Sequence, residues 1–247
     1  MPAPGVVLFF AEGKRPSARA IERALAGVAS GAGSTRARIS HLPEGDAGWL
    51  ELLSSGLTFD LSGLAPGPGA DLPERRQVLG LSPDTLAAKL EAVALVPGPH
   101  VSAGAALLPV LRVLCGLAAA LAQALPVEVV GWRTAGTWMA PAYFTRIIDA
   151  WLAGGAFPSL GLTALELTEG GAVVSNGLAF FTGQEVRVEP VEGATPAETV
   201  KLAVRIVDLL VGQGAVLTDE ELAGPDGSVI SARPDRGGGL VTVRRSA

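Results

Sequence analysis

The alternation of apolar and polar positions in the first forty residues predicts a strand, a helix and a second strand. An unbroken apolar run at 5–10 precedes a helical pattern over 17–30, and a further strand is expected at 37–42. Apolar residues recur at three- and four-residue spacing within the helix, which is typical of a helix buried on one face. Ser17 is a suitable N-cap for it, because its hydroxyl accepts a hydrogen bond from the first turn.

The same order returns in the middle of the chain. A strand is predicted at 91–96, a long apolar helix within 102–125 and a strand at 127–132. Such continuous apolar strands are usually covered on both faces. A turn then leads into another helix, whose apolar positions at helical spacing are Phe144, Ile147, Ile148 and Trp151.

After Phe157 the pattern changes to short alternating segments separated by glycine turns, which indicates antiparallel strands. A helix is predicted from Thr195, with Pro196 in its first turn and Glu198 as the capping-box partner of Thr195. The tail contains short predicted strands at 215–218, 228–233 and 239–245.

These elements predict an α+β fold with a mixed, largely antiparallel sheet, helices packed on it, and βαβ-like units in the N-terminal and middle parts. We expect one domain over 1–247, because residues 1–62 are too few for more than a minor lobe. Glycine and proline are concentrated in 63–76, which predicts an exposed loop or linker.

Composition narrows the classes of function. The 247 residues are 49% hydrophobic and 17% charged, which is typical of a globular protein, and the net charge of −5 argues against nucleic-acid binding. The N-terminus lacks the pattern of a signal peptide, and the single cysteine, Cys115, excludes a disulfide framework. We therefore expect a cytoplasmic protein without a bound metal or cofactor.

The apolar segment 102–125 approaches the length of a membrane span. However, Pro109, Arg112 and Gln123 interrupt it, and predicted strands flank it closely on both sides. A helix buried inside the protein is the preferred interpretation, and no membrane association is expected.

Three loops contain residues that could bind a ligand. The glycines of 31–35 follow a helix instead of preceding one, so they do not match a phosphate-binding loop. The turn 11–17 does lie between a strand and a helix, but it lacks the spacing of a nucleotide loop. His41, Glu44 and Asp46 lie close together in the sequence, and nothing in it fixes their separation in space.

The stretch from Trp132 to Trp138 has two interpretations. It follows the end of a buried strand, as His100 does, so in a parallel arrangement both lie at one edge of the sheet. Arg133 and the following helix could then bind an anion, with Trp132, Thr137 and Trp138 forming a wall. Alternatively, Trp138 and Trp151 are large anchors that pack a helix onto the sheet, while Arg133 is exposed or pairs with a carboxylate such as Glu166 or Glu185.

No established catalytic motif is present. His100 and Glu185 are the weak candidates for an acid or base. Glu166, Glu169 and Glu189 also lie in the antiparallel region, where alternation places charged residues on the solvent-exposed face.

The order of features over residues 127–226 resembles a bacterial domain family of unknown function. The similarity begins with "GWRTAGTW", which leads into a helix at Ala140 and Pro141. It continues with Gly177, Phe181, Gly183 and Glu185, which resemble that family's glycine, phenylalanine and glutamate pattern. The longer "TDEELAGPDG" departs from the family's acidic turn. The resemblance implies an α+β cytoplasmic bacterial protein and carries no catalytic residues.

Two functions follow as hypotheses. The preferred one is a non-catalytic binding or self-associating module whose partner is another copy, as a homodimer, or another protein. The mean hydropathy of +0.41 motivates it, since association would cover surplus apolar surface. The alternative is a small enzyme or anion-binding protein with a pocket near His100 and Trp132–Trp138.

Overall fold

The computed structural model describes residues 3–28, 37–45, 47–191, 193, 195–224 and 227–245. It divides into two compact units, 1–155 and 156–247, whereas the sequence pattern predicts one domain. Strands from both sides of residue 62 share one sheet in the first unit, so the residues before 63 do not form a minor lobe.

The first unit is built on an eight-stranded sheet in the order β2-β3-β4-β6-β1-β7-β8-β5. Its strands are β1 Val6–Ala11, β2 Ala37–His41, β3 Trp49–Ser54, β4 Leu57–Ser62, β5 Gln77–Leu79, β6 Leu90–Pro97, β7 Val129–Trp132 and β8 Thr137–Met139. Its helices are α1 Ala18–Val28, α2 Pro83–Ala87, α3 Leu108–Ala124 and α4 Pro141–Leu152.

Strand directions confirm the βαβ-like units within a mixed sheet. Strand β1 is antiparallel to both of its neighbours, β6 and β7, so these two are parallel to each other and are joined through α3. Strands β1 and β2 are also parallel and are joined through α1, with three strands between them in the sheet. Both connections therefore cross over intervening strands.

The two faces of this sheet have different covers. Alternation along β1 places Val6 and Leu8 on one face and Val7 and Phe9 on the other. Helices α3 and α4 contact β1, β6 and β7. The second face packs against Ala70, Leu81 and Leu86, which lie between β4 and β6, and against Leu90 at the start of β6.

Helix α3 lies within the apolar segment 102–125, whose length approaches that of a membrane span. It has 17 residues, and most of its apolar side chains are buried within the protein. Arg112, which interrupts the apolar run, donates to the carbonyls of Trp151 and Leu152 at the end of α4. Across the ranges given above, no helix combines the length and apolarity that crossing a bilayer requires.

The second unit contains a six-stranded sheet in the order β12-β13-β14-β11-β10-β9. Its strands are β9 Ala164–Leu167, β10 Val173–Asn176, β11 Glu185–Val188, β12 Glu220–Ala223, β13 Val229–Pro234 and β14 Leu240–Arg245, and its helices are α5 Ser159–Leu162, α6 Ala179–Thr182 and α7 Pro196–Gln213. Among these described strands, only β11 and β14 pair in parallel. The fold of the protein is α+β, with mixed and mostly antiparallel sheets, as predicted.

Helix α7 begins as the sequence predicts. The Thr195 hydroxyl accepts from the backbone N–H of Glu198, and the Glu198 carboxylate accepts from the backbone N–H of Thr195. The hydrogen bonds from Thr195 lower the pKa of Glu198. Two N–H groups that the helix leaves without intrahelical partners are thereby satisfied.

The predicted strand at 215–218 is wrong, and the strand of this region, β12, begins at Glu220. The reason is a buried side chain. The Gln184 amide accepts from the Val216 N–H at 2.8 Å and donates to the Val216 carbonyl at 3.0 Å. The Gln184 side chain thus satisfies both backbone hydrogen-bonding groups of Val216, so these groups do not require a neighbouring strand.

Candidate functional site

One expected feature of the predicted site near His100 and Trp132 is present, namely that the two strands leading to these residues end at the same edge of the sheet. Strands β6 and β7 are parallel, so both end at the same edge of the sheet. His100 follows β6 and is exposed. Strand β1 lies between them, which separates the two strands by roughly 10 Å, twice the spacing of neighbouring strands.

The predicted wall of indoles does not form. The stretch is a hairpin, because Trp132 ends β7 and Trp138 lies in β8. Trp132 pairs with Thr137 across the hairpin, whereas Trp138 pairs with Gly131. Since paired residues share a face and successive residues alternate, the two indoles lie on opposite faces of the sheet.

Both tryptophans of this hairpin are packed. Trp132 is 0% exposed and Trp138 8% exposed, and Thr137 is fully buried. The Trp138 ring lies 4.7 Å from the Phe9 ring, and the Arg75 guanidinium lies over it at 5.6 Å. Trp138 therefore packs on the second face of the sheet, with Val7 and Phe9, whereas Trp132 is buried on the face of Val6.

The glycine of the turn explains how tightly the corner closes. Gly136 has a φ of +67°, and a Cβ there would lie 2.9 Å from the Glu74 carbonyl oxygen. Its own carbonyl accepts from the N–H of Arg76. The segment before β5 therefore runs directly over the turn and leaves no room for a ligand at this glycine.

Arg133 is partly buried and points toward the segment between β4 and β5. Its guanidinium donates to the Asp71 carbonyl at 3.2 Å, so its partner lies in the first unit rather than at Glu166 or Glu185. Burial lowers the pKa of Arg133, and the Asp71 carboxylate acts in the opposite direction. The side chain fixes a loop and is not presented as an open anion clamp.

Glu185 belongs to the second unit and performs a structural task there. Its carboxylate accepts from the Ser175 hydroxyl at 2.5 Å and from the backbone N–H groups of Gly177, Leu178 and Ala179 at 2.8, 3.1 and 3.1 Å. These bonds hold the turn that leads into α6. A carboxylate with four donors has little capacity left to act as a base.

The remaining candidates for chemistry are few. Cys115 is fully buried, and desolvation raises the pKa of its thiol to about 12, which keeps it from forming the reactive thiolate. Within the described ranges there is no group of three or more histidine, cysteine, aspartate or glutamate residues that could hold a metal ion.

The carboxyl ends of three other strands lie at the opposite edge of the first sheet. Strands β1, β2 and β4 are parallel to one another, so their carboxyl ends meet there. The turn 11–17, the loop 41–48 and the start of the Gly/Pro segment follow these ends. The turn 11–17 and the loop that follows β2 are therefore neighbours in the fold. The glycines of 31–35 and Asp46 lie outside the described residues.

Arg15 organises this edge. Its guanidinium donates to the carbonyls of Gly63 and Gly67 at 2.6 and 2.8 Å, and it forms an ion pair with Glu91 at 3.2 Å. The Gly63 N–H also donates to the Gly48 carbonyl. The Gly/Pro segment was predicted to be an exposed loop or linker; it exposes several side chains, but its backbone is fastened to the sheet.

A groove of about 150 Å³ lies between these loops. We call it the edge groove; it is lined by Ser17, Ala18, Arg19, Leu42, Gly45, Ala47, Gly48, Trp49, Leu64, Ala65 and Pro66. Two large apolar side chains in it remain accessible, since Leu42 is 53% exposed and Trp49 is 37% exposed. The His41 ring lies 5.5 Å from the Trp49 ring and supports it from the side.

A larger groove, of about 400 Å³, lies in the second unit beside Gln184, Val216 and Asp235. Two of its polar side chains, Gln184 and Asp235, already have partners. The Gln184 amide binds Val216 and Gly238, and the Asp235 carboxylate accepts from the N–H groups of Gly239 and Leu240. Its lining includes the exposed Leu217 but no aromatic side chain, so the edge groove, which contains Trp49, is the better candidate for recognition.

Comparison with protein-family models, with curated proteins and with solved structures finds no match for this chain. The resemblance over residues 127–226 thus stays a prediction.

Sequence reasoning missed the edge groove because it missed the β3–β4 hairpin. The signal was present in "WLELLSSGLTFDLS", where alternating apolar residues flank a two-residue turn. Ser55 and Gly56 both have positive φ, 51° and 78°, as the tight hairpin turn requires. Serine at the first of these positions is less characteristic than asparagine or aspartate, so the turn is easily overlooked.

Proposed function

We propose that the protein is a non-catalytic binding module that recognises an extended segment of another protein in the edge groove. The observation that carries the proposal is the joint exposure of Leu42 and Trp49 in one concave site. Tryptophan is among the residues that contribute most to protein–protein binding. Other exposed large apolar residues, such as Leu107 and Leu217, do not line this groove.

The size of the groove favours one or two side chains over a small-molecule ligand. Its volume of about 150 Å³ is half of the ~300 Å³ at which small-molecule sites begin. Its lining is largely apolar, with Arg19 as the charged residue. An apolar side chain of a partner, inserted beside Trp49, is the chemistry that fits this lining.

The state of the candidate catalytic groups supports binding over catalysis. Glu185 accepts hydrogen bonds from four donors, and Arg133 is held by the Asp71 carbonyl. His100 lies at a different edge of the sheet from the edge groove. The alternative of a small enzyme or anion-binding protein near His100 and Trp132–Trp138 has no comparable support.

A homodimer remains part of the proposal as the second form of association. The mean hydropathy of +0.41 motivates it, although the buried apolar residues of α3 and of the two sheets account for much of that value. A bacterial, cytoplasmic setting, as the family resemblance implies, completes the proposal.

The test combines a binding selection with a matched surface variant. A phage library of random 12-residue peptides is selected on the immobilised protein, and the affinities of selected peptides are measured by fluorescence anisotropy. We expect Leu42→Ser, at a leucine that is 53% exposed, to weaken binding at least tenfold. The control Leu217→Ser, at a leucine of the second unit that is 83% exposed, should leave binding unchanged. Thermal unfolding verifies that both variants are folded.

Two results would overturn the proposal. One is a selection that yields no binding peptide, together with a clean monomer by light scattering over a wide concentration range. The other is peptide binding that Leu42→Ser leaves unaffected, because the recognising surface would then lie elsewhere.

A further inference from the structure

We infer that the partner segment carries a lysine or arginine two residues from its apolar anchor, and that this cation binds over Glu51 and Asp60 on the sheet face beside the edge groove. The inference rests on the proposed function, since it specifies the partner of the same site. It follows from the register of β2, β3 and β4.

Alternation along β3 separates its side chains into two sets. Leu50 and Leu52 are fully buried beneath the helical layer, whereas Trp49, Glu51 and Leu53 lie on the opposite face. The edge groove and Glu51 are therefore connected through Trp49, which lines the groove and shares a face with Glu51.

The neighbouring strands extend this face. Glu51 pairs directly with Asp60 on β4 and with His41 on β2, and Leu53 pairs with Thr58 and Arg38. We call the set of Trp49, Glu51, Leu53, Thr58 and Asp60 the open face. Its side chains all retain partial exposure. The segments that cover the second face elsewhere pack instead against Val7, Phe9, Ala92, Ala94, Val129 and Trp138.

Glu51 and Asp60 carry like charges side by side on the open face, and β2 adds Arg38 and His41 to the same side of the sheet. Side chains of directly paired residues approach to ~5 Å, and like charges at that distance destabilise a sheet. In the described part of the chain neither Glu51 nor Asp60 forms an ion pair; Glu51 accepts from the Ser40 hydroxyl at 2.6 Å. Burial, and then the Glu51 charge, raise the pKa of Asp60. A cation placed between the two carboxylates would relieve this repulsion.

The geometry also sets the spacing in the partner. Trp49 and Glu51 are two residues apart on β3, a separation of about 7 Å, and alternate side chains of an extended peptide have the same spacing. An apolar residue at the Trp49 end and a basic residue two positions away therefore fit the groove and the carboxylate pair together. The exposed indole of Trp49 adds a cation–π surface.

A second copy of the chain is a poorer occupant than a basic segment of another protein. The net charge of −5 makes two copies repel on average. A partner that presents lysine or arginine instead gains from the charge of this face, and that gain falls as salt screens it.

The experiment uses the peptides selected on the full-length protein. We expect enrichment of an apolar residue and a lysine or arginine two positions apart, in either order. The neutral double variant Glu51→Gln/Asp60→Asn should weaken their binding at least fivefold, and replacing the basic residue of the peptide by glutamate should abolish it. Glu169→Gln, in an exposed turn of the second unit, is the control for loss of a surface carboxylate and should leave affinity unchanged.

The outcomes separate this inference from the proposed function. Selected peptides that lack a basic residue, or that bind the neutral double variant as well as the native protein, overturn the inference; if Leu42→Ser still abolishes their binding, the proposed function stands. Self-association by light scattering with no selected peptide overturns the inference in favour of a second copy. The absence of both kinds of binding overturns the two together.

Discussion

Two tryptophan-bearing corners lie at opposite edges of the same sheet, and only one of them is closed. At the β7–β8 hairpin, Trp132 and Trp138 are 0% and 8% exposed on opposite faces. At the start of β3, Trp49 is 37% exposed beside a groove. Trp132 ends a strand and Trp49 begins one, and each has a glycine nearby in the sequence. The local sequences of the two corners are therefore similar.

The difference comes from segments distant in sequence. Residues 74–77 run over the Gly136 turn and close the first corner. At the second corner, Arg15 binds the carbonyls of Gly63 and Gly67, which holds the Gly/Pro segment beside the groove. An aromatic cluster at a strand end is therefore a weak indication of a site until its cover is known.

The sharpest contrast is expected between two alanine substitutions. Trp132→Ala should lower the free energy of unfolding by about 3–5 kcal/mol, because it leaves a cavity in a closed core. Trp49→Ala should cost less than about 2 kcal/mol, since part of its ring is already exposed to solvent. Urea unfolding measures both. Equal losses would contradict the distinction between a closed and an open corner.

Arg15→Met tests how the open corner is held. We expect a loss of about 3 kcal/mol, because two carbonyl hydrogen bonds from a charged donor and an ion pair with Glu91 are removed. Hydrogen exchange should speed up in residues 63–70. Lys14→Met, at an exposed neighbouring position, is the control. Unchanged exchange in this segment would mean that the glycine and proline residues hold their shape without Arg15.

Glu185→Ala extends the comparison to a candidate catalytic residue of the second unit. Removal of the carboxylate leaves the Ser175 hydroxyl and three backbone N–H groups without their acceptor, so we expect a loss of about 2 kcal/mol. Glu169→Ala, in an exposed turn, should change stability by less than about 0.5 kcal/mol. Similar stabilities of the two variants would remove the structural role and reopen a chemical one.

The smallest expected effect is a gain in stability. The pKa of Asp60 is raised in the folded state, so its ionised form is disfavoured there and native stability falls as pH rises through the raised pKa. Asp60→Asn should therefore stabilise the protein at neutral pH by roughly 0.5 kcal/mol, and the two proteins should converge below the ordinary pKa of 3.8. Thermal unfolding across this range provides the measurement. A loss of stability at pH 7 would indicate that the carboxylate has a partner of its own.

Several elements followed from local pattern. The strands β1, β6 and β7 appear as unbroken apolar runs, and the capping box of Thr195 and Glu198 marks the start of α7. The β3–β4 hairpin was missed because its turn residues, Ser55 and Gly56, are not the most characteristic pair. The strand predicted at 215–218 failed because Gln184, distant in sequence, binds the backbone of Val216.

The sequence by itself determined the α+β class, the crossover units and the apolar composition of the cores, since these depend on periodicity and on interactions within a few residues. Only the tertiary structure decided which tryptophan is exposed, which carboxylate is already bonded and which loops meet at one edge. Those outcomes depend on contacts between residues tens of positions apart, such as Arg15 with Gly63 and Gly136 with Arg76. The local sequence pattern does not indicate such contacts. Each contact depends on the register and order of the strands that lie between the two contacting residues.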